Sequence, residues 1–190
     1  VTLDETTNNF AAAVKITGAV VTVVDENAIN LGASTVTGTY HVTATAGDIT
    51  NTGALIITGA STFIVGTTTS NIVLDHASNA FSNSVTMKAG TAGNLAFGNI
   101  GFVDNAAVVI QTSADTNANG ELLIDGSTDG VVGGTLSIKA NGDITQNIDL
   151  AVAGTTTLEA GSNAITLNRP DNNFSTVIIT SGGDVAITDI

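Results

Sequence analysis

Cysteine and tryptophan are absent from the 190 residues, and proline, methionine and tyrosine occur once each. Without a thiol there is no disulfide framework and no thiolate metal site, and cysteine chemistry leaves the redox compartment open. Positive charge is nearly as scarce: four Lys and Arg stand against 17 Asp and Glu, a formal charge of -13. Such a chain has no basic surface with which to neutralise phosphates or anionic headgroups, which excludes nucleic acid and membrane surfaces as natural partners. No unbroken apolar run exists either. The longest uncharged stretch, residues 49–74, is interrupted throughout by Thr, Ser, Asn and Gly, whose polar groups would go unsatisfied in hydrocarbon, so it reads as strands. No initiator Met and no basic, apolar leader precedes Val1, as expected of a processed chain or a segment of a longer one.

What is plentiful is Thr (31), Gly (21) and Asn (19), in a chain that is 43% hydrophobic but only 4% aromatic. β-Branched side chains suit a pleated surface, while Gly and Asn tolerate the left-handed backbone of tight corners, so strands and turns are expected and helix is not. The apolar fraction is enough for one domain with a substantial core.

Internal repetition is the main signal. Leu3, Asn8, Phe10 and Val14 recur as Leu74, Asn79, Phe81 and Val85, and again as Leu167, Asn172, Phe174 and Val177. A second signature, Gly47-Asp48-Ile49-Thr50, returns as Gly142-Asp143-Ile144-Thr145, each after an alternating run: Tyr40, Val42, Ala44 and Leu136, Ile138, Ala140. A third follows at the same offset, Leu55, Ile57, Gly59, Phe63 matching Leu150, Val152, Gly154, Leu158. These signatures divide the chain into approximate repeats 1–71, 72–164 and 165–190. Phe10 and Phe81 are 71 residues apart and Phe81 and Phe174 are 93 apart, so the second repeat is longer by 22, roughly one added unit. A solenoid whose units touch only their neighbours absorbs such an insertion, whereas a sandwich or closed barrel changes strand number.

The expected fold is therefore all-β: a single right-handed parallel β-helix over 1–190, about eight coils of roughly 23 residues. Leu, Ile, Val, Phe and Ala should stack inward at the strand spacing of about 4.8 Å, with Thr outward, so that eight coils rise about 38 Å. Phe10, Phe81 and Phe174 are expected to fill a wider corner of the interior.

The Thr/Asn/Gly/Val texture, the Asn-x-Phe copies at Asn8, Asn79 and Asn172 and the Gly-Asp-Ile-Thr copies at Gly47 and Gly142 resemble the β-helical shafts of filamentous-haemagglutinin-like bacterial surface exoproteins, adhesins secreted by the two-partner route. The resemblance implies an extracellular or cell-surface location. It also implies a structural or adhesive role in cell contact, fibres or biofilm matrix. Partners would be further solenoid segments or copies end to end, and host or neighbouring-cell receptors or glycans.

Candidate chemistry is sparse. His41 and His76 have no second His at a ligand spacing and only Asp75 adjacent, so surface or corner roles are expected. Asp48 and Asp143 follow Gly at strand starts, where an Asx-type turn is expected, with a ladder of cation-binding carboxylates as the alternative. Asp115, Glu121, Asp125 and Asp129, laced with Asn and Gly, are the place to look for calcium, although neither the EF-hand spacing nor the calcium-binding nonapeptide is present. Asn173-Phe174-Ser175 fits the glycosylation pattern but lies inside the Phe signature. β-Helical polysaccharide lyases and hydrolases need carboxylates or cations converging on a groove, with aromatic or Arg side chains to hold the sugar. Lys15, Lys88, Lys139 and Arg169 are the only cations and Tyr40 the only Tyr, so no catalytic, cofactor or metal residue is assigned, and a carbohydrate-binding or carbohydrate-cleaving protein is the alternative reading.

Overall fold

The computed structural model describes residues 1–90, 93, 95–111, 121–126 and 128–190. Among these residues every regular element is a strand, and every strand pairing is parallel. The chain opens with β1 (Thr2–Leu3) and β2 (Thr17–Gly18). A three-strand coil follows, β3 (Val21–Asp25), β4 (Ile29–Leu31) and β5 (Ser34–Val36). It is repeated as β6 (Tyr40–Ala44), β7 (Ile49–Asn51), β8 (Leu55–Ile57) and as β9 (Ser61–Val65), β10 (Ile72–Leu74), β11 (Ala80–Phe81). The middle holds β12 (Val85–Ala89), β13 (Ile100–Asp104), β14 (Val108–Gln111) and β15 (Glu121–Asp125). Last come β16 (Val131–Val132), β17 (Leu136–Ala140), β18 (Ile144–Gln146), β19 (Ala151–Glu159), β20 (Ile165–Leu167), β21 (Asn173–Ser181) and β22 (Val185–Ile187).

Stacking these coils makes a β-solenoid of about eight turns, the architecture that the repeats imply, with about 21 residues per turn. The turn is shorter than the expected 23 because successive coils differ: Val21 lies opposite Tyr40, Tyr40 opposite Ser61 and Ser61 opposite Val85, steps of 19, 21 and 24 residues. β3, β6 and β12 alternate buried and partly exposed positions, which is the period-2 pattern read from Val and Thr, whereas β13 is buried throughout. Ile29, Ile49, Ile72, Ile100 and Leu136 form one inward column through five coils, each at most 1% exposed. Thr22, His41, Thr62 and Thr86 form an outward column on another face.

The repeats do not stack copy on copy, however. Three sheets line the solenoid: ten strands ordered β1-β3-β6-β9-β12-β15-β14-β18-β20-β22, eight ordered β16-β19-β17-β13-β10-β7-β4 with β21 also on β19, and four ordered β11-β8-β5-β2. The run before the first Gly-Asp-Ile-Thr, β6, belongs to the ten-stranded sheet, but its counterpart β17 belongs to the eight-stranded one. The signature strands themselves, β7 and β18, exchange the other way. In the same middle region β15 inserts between β12 and β14, out of chain order. Parallel strands of equal pattern pair equally well with any neighbour, so a shifted order satisfies the main chain as fully as a regular one.

The expected aromatic corner is also redistributed. Phe81 is 2% exposed and Phe174 6%, while Phe10 packs against the core from one end. Phe81 has other neighbours than its copies: Tyr40, Phe63, Phe81 and Phe102 form a run with centroid separations of 5.8, 6.3 and 5.3 Å. Edge-on and offset contacts of this kind are the favoured aromatic geometries.

Candidate functional site

The repeated signature proves to be a clamp between coils. Asn79 is fully buried; its Nδ2 donates to the Leu74 carbonyl at 3.0 Å, and its Oδ1 accepts the Leu55 N–H at 3.0 Å and the Asn51 Nδ2 at 2.8 Å. Asn172 does the same one repeat later, donating to the Leu167 carbonyl at 3.0 Å and accepting the Leu150 N–H at 2.9 Å and the Gln146 Nε2 at 2.7 Å. Asn8 donates to the Leu3 carbonyl at 3.1 Å. A buried amide that satisfies main-chain groups of the coil before it is as strongly required as the groups it satisfies.

The Phe two residues on is held from the other side. The N–H groups of Phe10, Phe81 and Phe174 donate to the carboxylates of Asp25, Asp104 and Asp189, at 2.8, 3.0 and 2.7 Å. Sequence reading missed these aspartates because they follow the Phe by 15, 23 and 15 residues, an uneven spacing. Asp104 is 2% exposed. Burial pushes its carboxyl above the usual value, opposed by the two N–H donors from Phe81 and Asn105.

Asp48 and Asp143 also act between coils, which corrects the expected local Asx turn. Asp48 accepts the Asn71 N–H at 2.8 Å and the Asn71 Nδ2 at 2.9 Å, and Asp143 accepts the Ala164 N–H at 2.9 Å. The first contact opens a ladder up one corner: Asn71 Oδ1 accepts the Asn99 N–H, and Asn99 Oδ1 accepts the Thr135 N–H. With coils about 4.8 Å apart, the next coil's N–H is as close to a corner side chain as its own turn is. The preceding glycines answer to packing. A Cβ on Gly47 or Gly142 would come within 2.9 or 2.7 Å of the backbone N of Ala28 or Ala107, and Gly47 has a φ of +128°.

The remaining candidates lie apart. His41 faces outward between Thr22 and Thr62, and partial burial lowers its pKa. His76 Nδ1 accepts the Ser78 N–H in a corner. Glu121 is buried at the start of β15, Asp125 pairs with Lys88 at 2.5 Å, and Asp129 is exposed; Asp115 lies outside the described residues. Lys139 pairs with Glu159 at 2.5 Å and Arg169 with Asp149 at 2.9 Å. Among the described residues no three His, Asp or Glu side chains converge as a metal site. Asn173 is exposed beside the buried Phe174. The side-chain chemistry of these repeated residues is thus that of joining coil to coil.

Residues 17–88 and 118–181, well over half of the chain, match a family described as repeats of unknown function (DUF5649). No curated protein and no solved structure matches the chain significantly.

Proposed function

We propose, from the premise that this chain belongs to the DUF5649 family of repeats of unknown function, that it is a structural and adhesive shaft or extracellular fibre segment of a secreted bacterial surface protein. It mediates adhesion, cell contact or biofilm matrix. The observation that carries the reading is the ten-stranded parallel sheet from β1 to β22, in which main-chain hydrogen bonds run along the stack over a continuous aliphatic interior. Load along the axis falls on that ladder. A net negative, Thr-rich exterior keeps the rod soluble. The Thr/Asn/Gly/Val texture shared with filamentous-haemagglutinin-like adhesins supports the surface location, and partners in that setting are receptors or glycans on a neighbouring or host cell.

Display of the chain on a non-adherent bacterium tests the reading. Increased attachment or aggregation, with the isolated chain seen as a rod about 38 Å long, is the expected result. Unchanged attachment, or release of unsaturated uronic acids from a polysaccharide panel, would overturn it, the latter in favour of a polysaccharide-cleaving β-helix.

A further inference from the structure

Asn141 and Gly142 stand together in the corner between β17 and β18, and the fold leaves both reacting groups of that pair open. Asn141 is exposed and Gly142 partly so. The Asn141 main-chain N–H donates to the Asp104 carbonyl at 3.2 Å, but its side-chain amide and the Gly142 N–H bond to none of the described residues. Both are left to water.

That freedom is local to this corner. Asn83 is also exposed, yet its Oδ1 accepts the N–H of the next residue, Ser84, at 2.8 Å. Asn9 precedes Phe10, whose N–H is held by Asp25 at 2.8 Å. Asn147 donates from Nδ2 to Gln111 at 3.1 Å, and the bulky Ile148 follows it. The corresponding corner one repeat earlier has Ala46 before Gly47 and carries no amide. Gly142 has no Cβ to shield its nitrogen, and the fold requires this: a Cβ there would stand 2.7 Å from the backbone N of Ala107. The packing of one coil on the next thus fixes a glycine directly after an open asparagine.

We infer that Asn141 is a site of spontaneous covalent modification, deamidation through the Gly142 nitrogen. Hydroxide removes the Gly142 N–H proton, and the nitrogen bonds to the Asn141 Cγ. The Cγ–Nδ2 bond then breaks, and ammonia leaves with a proton taken from water, which returns the hydroxide. Water opens the succinimide ring at either carbonyl, giving aspartate or isoaspartate. Water is the only co-reactant. Either product adds a carboxylate to the cleft lined by Asp104, Lys139 and Glu159. Isoaspartate also lengthens the main chain by a methylene between the Asp104 contact and the Asp143 clamp. Nothing in this chemistry depends on the shaft reading.

The test is incubation of the whole chain at pH 6 and pH 9 followed by peptide mapping, with a synthetic peptide of residues 136–147 kept under the same conditions. The fragment that holds Asn141 is expected to gain the mass of an amide-to-acid exchange, as two separable products, faster at pH 9 than at pH 6. Its rate should lie within about tenfold of the free peptide's, because an exposed corner opens at little cost in free energy. Asn141→Gln, whose longer side chain would have to close a larger ring, should lose the product. Mapping separates this site from Asn119-Gly120, the other Asn-Gly pair of the sequence, which lies outside the described residues. An Asn141 fragment that reacts more than about tenfold more slowly than the free peptide, or no faster than the fragments holding Asn83 and Asn147, would overturn the inference.

Discussion

The Asn79 side-chain oxygen accepts the backbone N–H of Leu55 at 3.0 Å across the gap between two coils. Replacing Asn79 with Ala leaves that buried N–H without its side-chain acceptor, at a cost of about 1–3 kcal/mol. Asn79→Asp keeps the acceptor but buries a charge, so it should be at least as destabilising at pH 7 and recover as the pH falls. Urea unfolding of the three proteins at pH 7 and pH 4 checks this; an Ala variant within about 0.5 kcal/mol of the parent, the range of a neutral surface change, would contradict the clamp.

Ile72 stands in the middle of the inward Ile column and is 0% exposed, whereas Ile56 is 42% exposed. Ile72→Ala is expected to cost about 2–5 kcal/mol through lost burial and the cavity left between Ile49 and Ile100. Ile56→Ala should lie within about 0.5 kcal/mol. Thermal unfolding of the pair decides whether the column is the core.

Tyr40 is the only tyrosine, and burial raises its pKa to about 12. Its phenolate absorbance should therefore appear near pH 12 in the folded protein and near pH 10 in urea. A raised folded value means that this group's contribution to stability is complete below the unfolded pKa and is lost as the pH rises from about 10 toward about 12. Titration near pH 10 without unfolding would show that the ring is open to water.

His41 has the opposite sign from Tyr40. Partial burial lowers its pKa, so its neutral form is favoured by folding, and that contribution is present above the unfolded value and lost as the pH falls below about 6.5. His41→Thr, which continues the outward Thr column, should flatten the stability profile below pH 6.5. An unchanged acid slope in the variant would assign the dependence to other groups.

Lys88 and Asp125 pair across neighbouring strands with their side chains 29% and 27% exposed. A partly exposed pair of this kind is worth about 0–1 kcal/mol and weakens with salt. A double-mutant cycle with Lys88→Met and Asp125→Asn should give a coupling in that range at low salt that shrinks at 1 M NaCl. A coupling above about 2 kcal/mol would mean that the pair is desolvated.

The amino-acid sequence determined the class of fold. Val21, Thr22 and Val23 alternate in a way only a half-buried strand satisfies, and the recurrence of Leu, Asn and Phe at fixed spacing required units that bury their apolar side on one another. It also marked Asn79 and Asn172 as special, though not as clamps. Tertiary structure alone decided that β7 and β18 lie in different sheets, that β15 stands between β12 and β14, and that Asp104 meets Phe81. Main-chain pairing is blind to which apolar strand it joins, so the order of strands leaves no trace in the local pattern. A carboxylate that reaches into the neighbouring coil obeys the distance between coils, and the number of residues that separates it from its partner along the chain is free to vary.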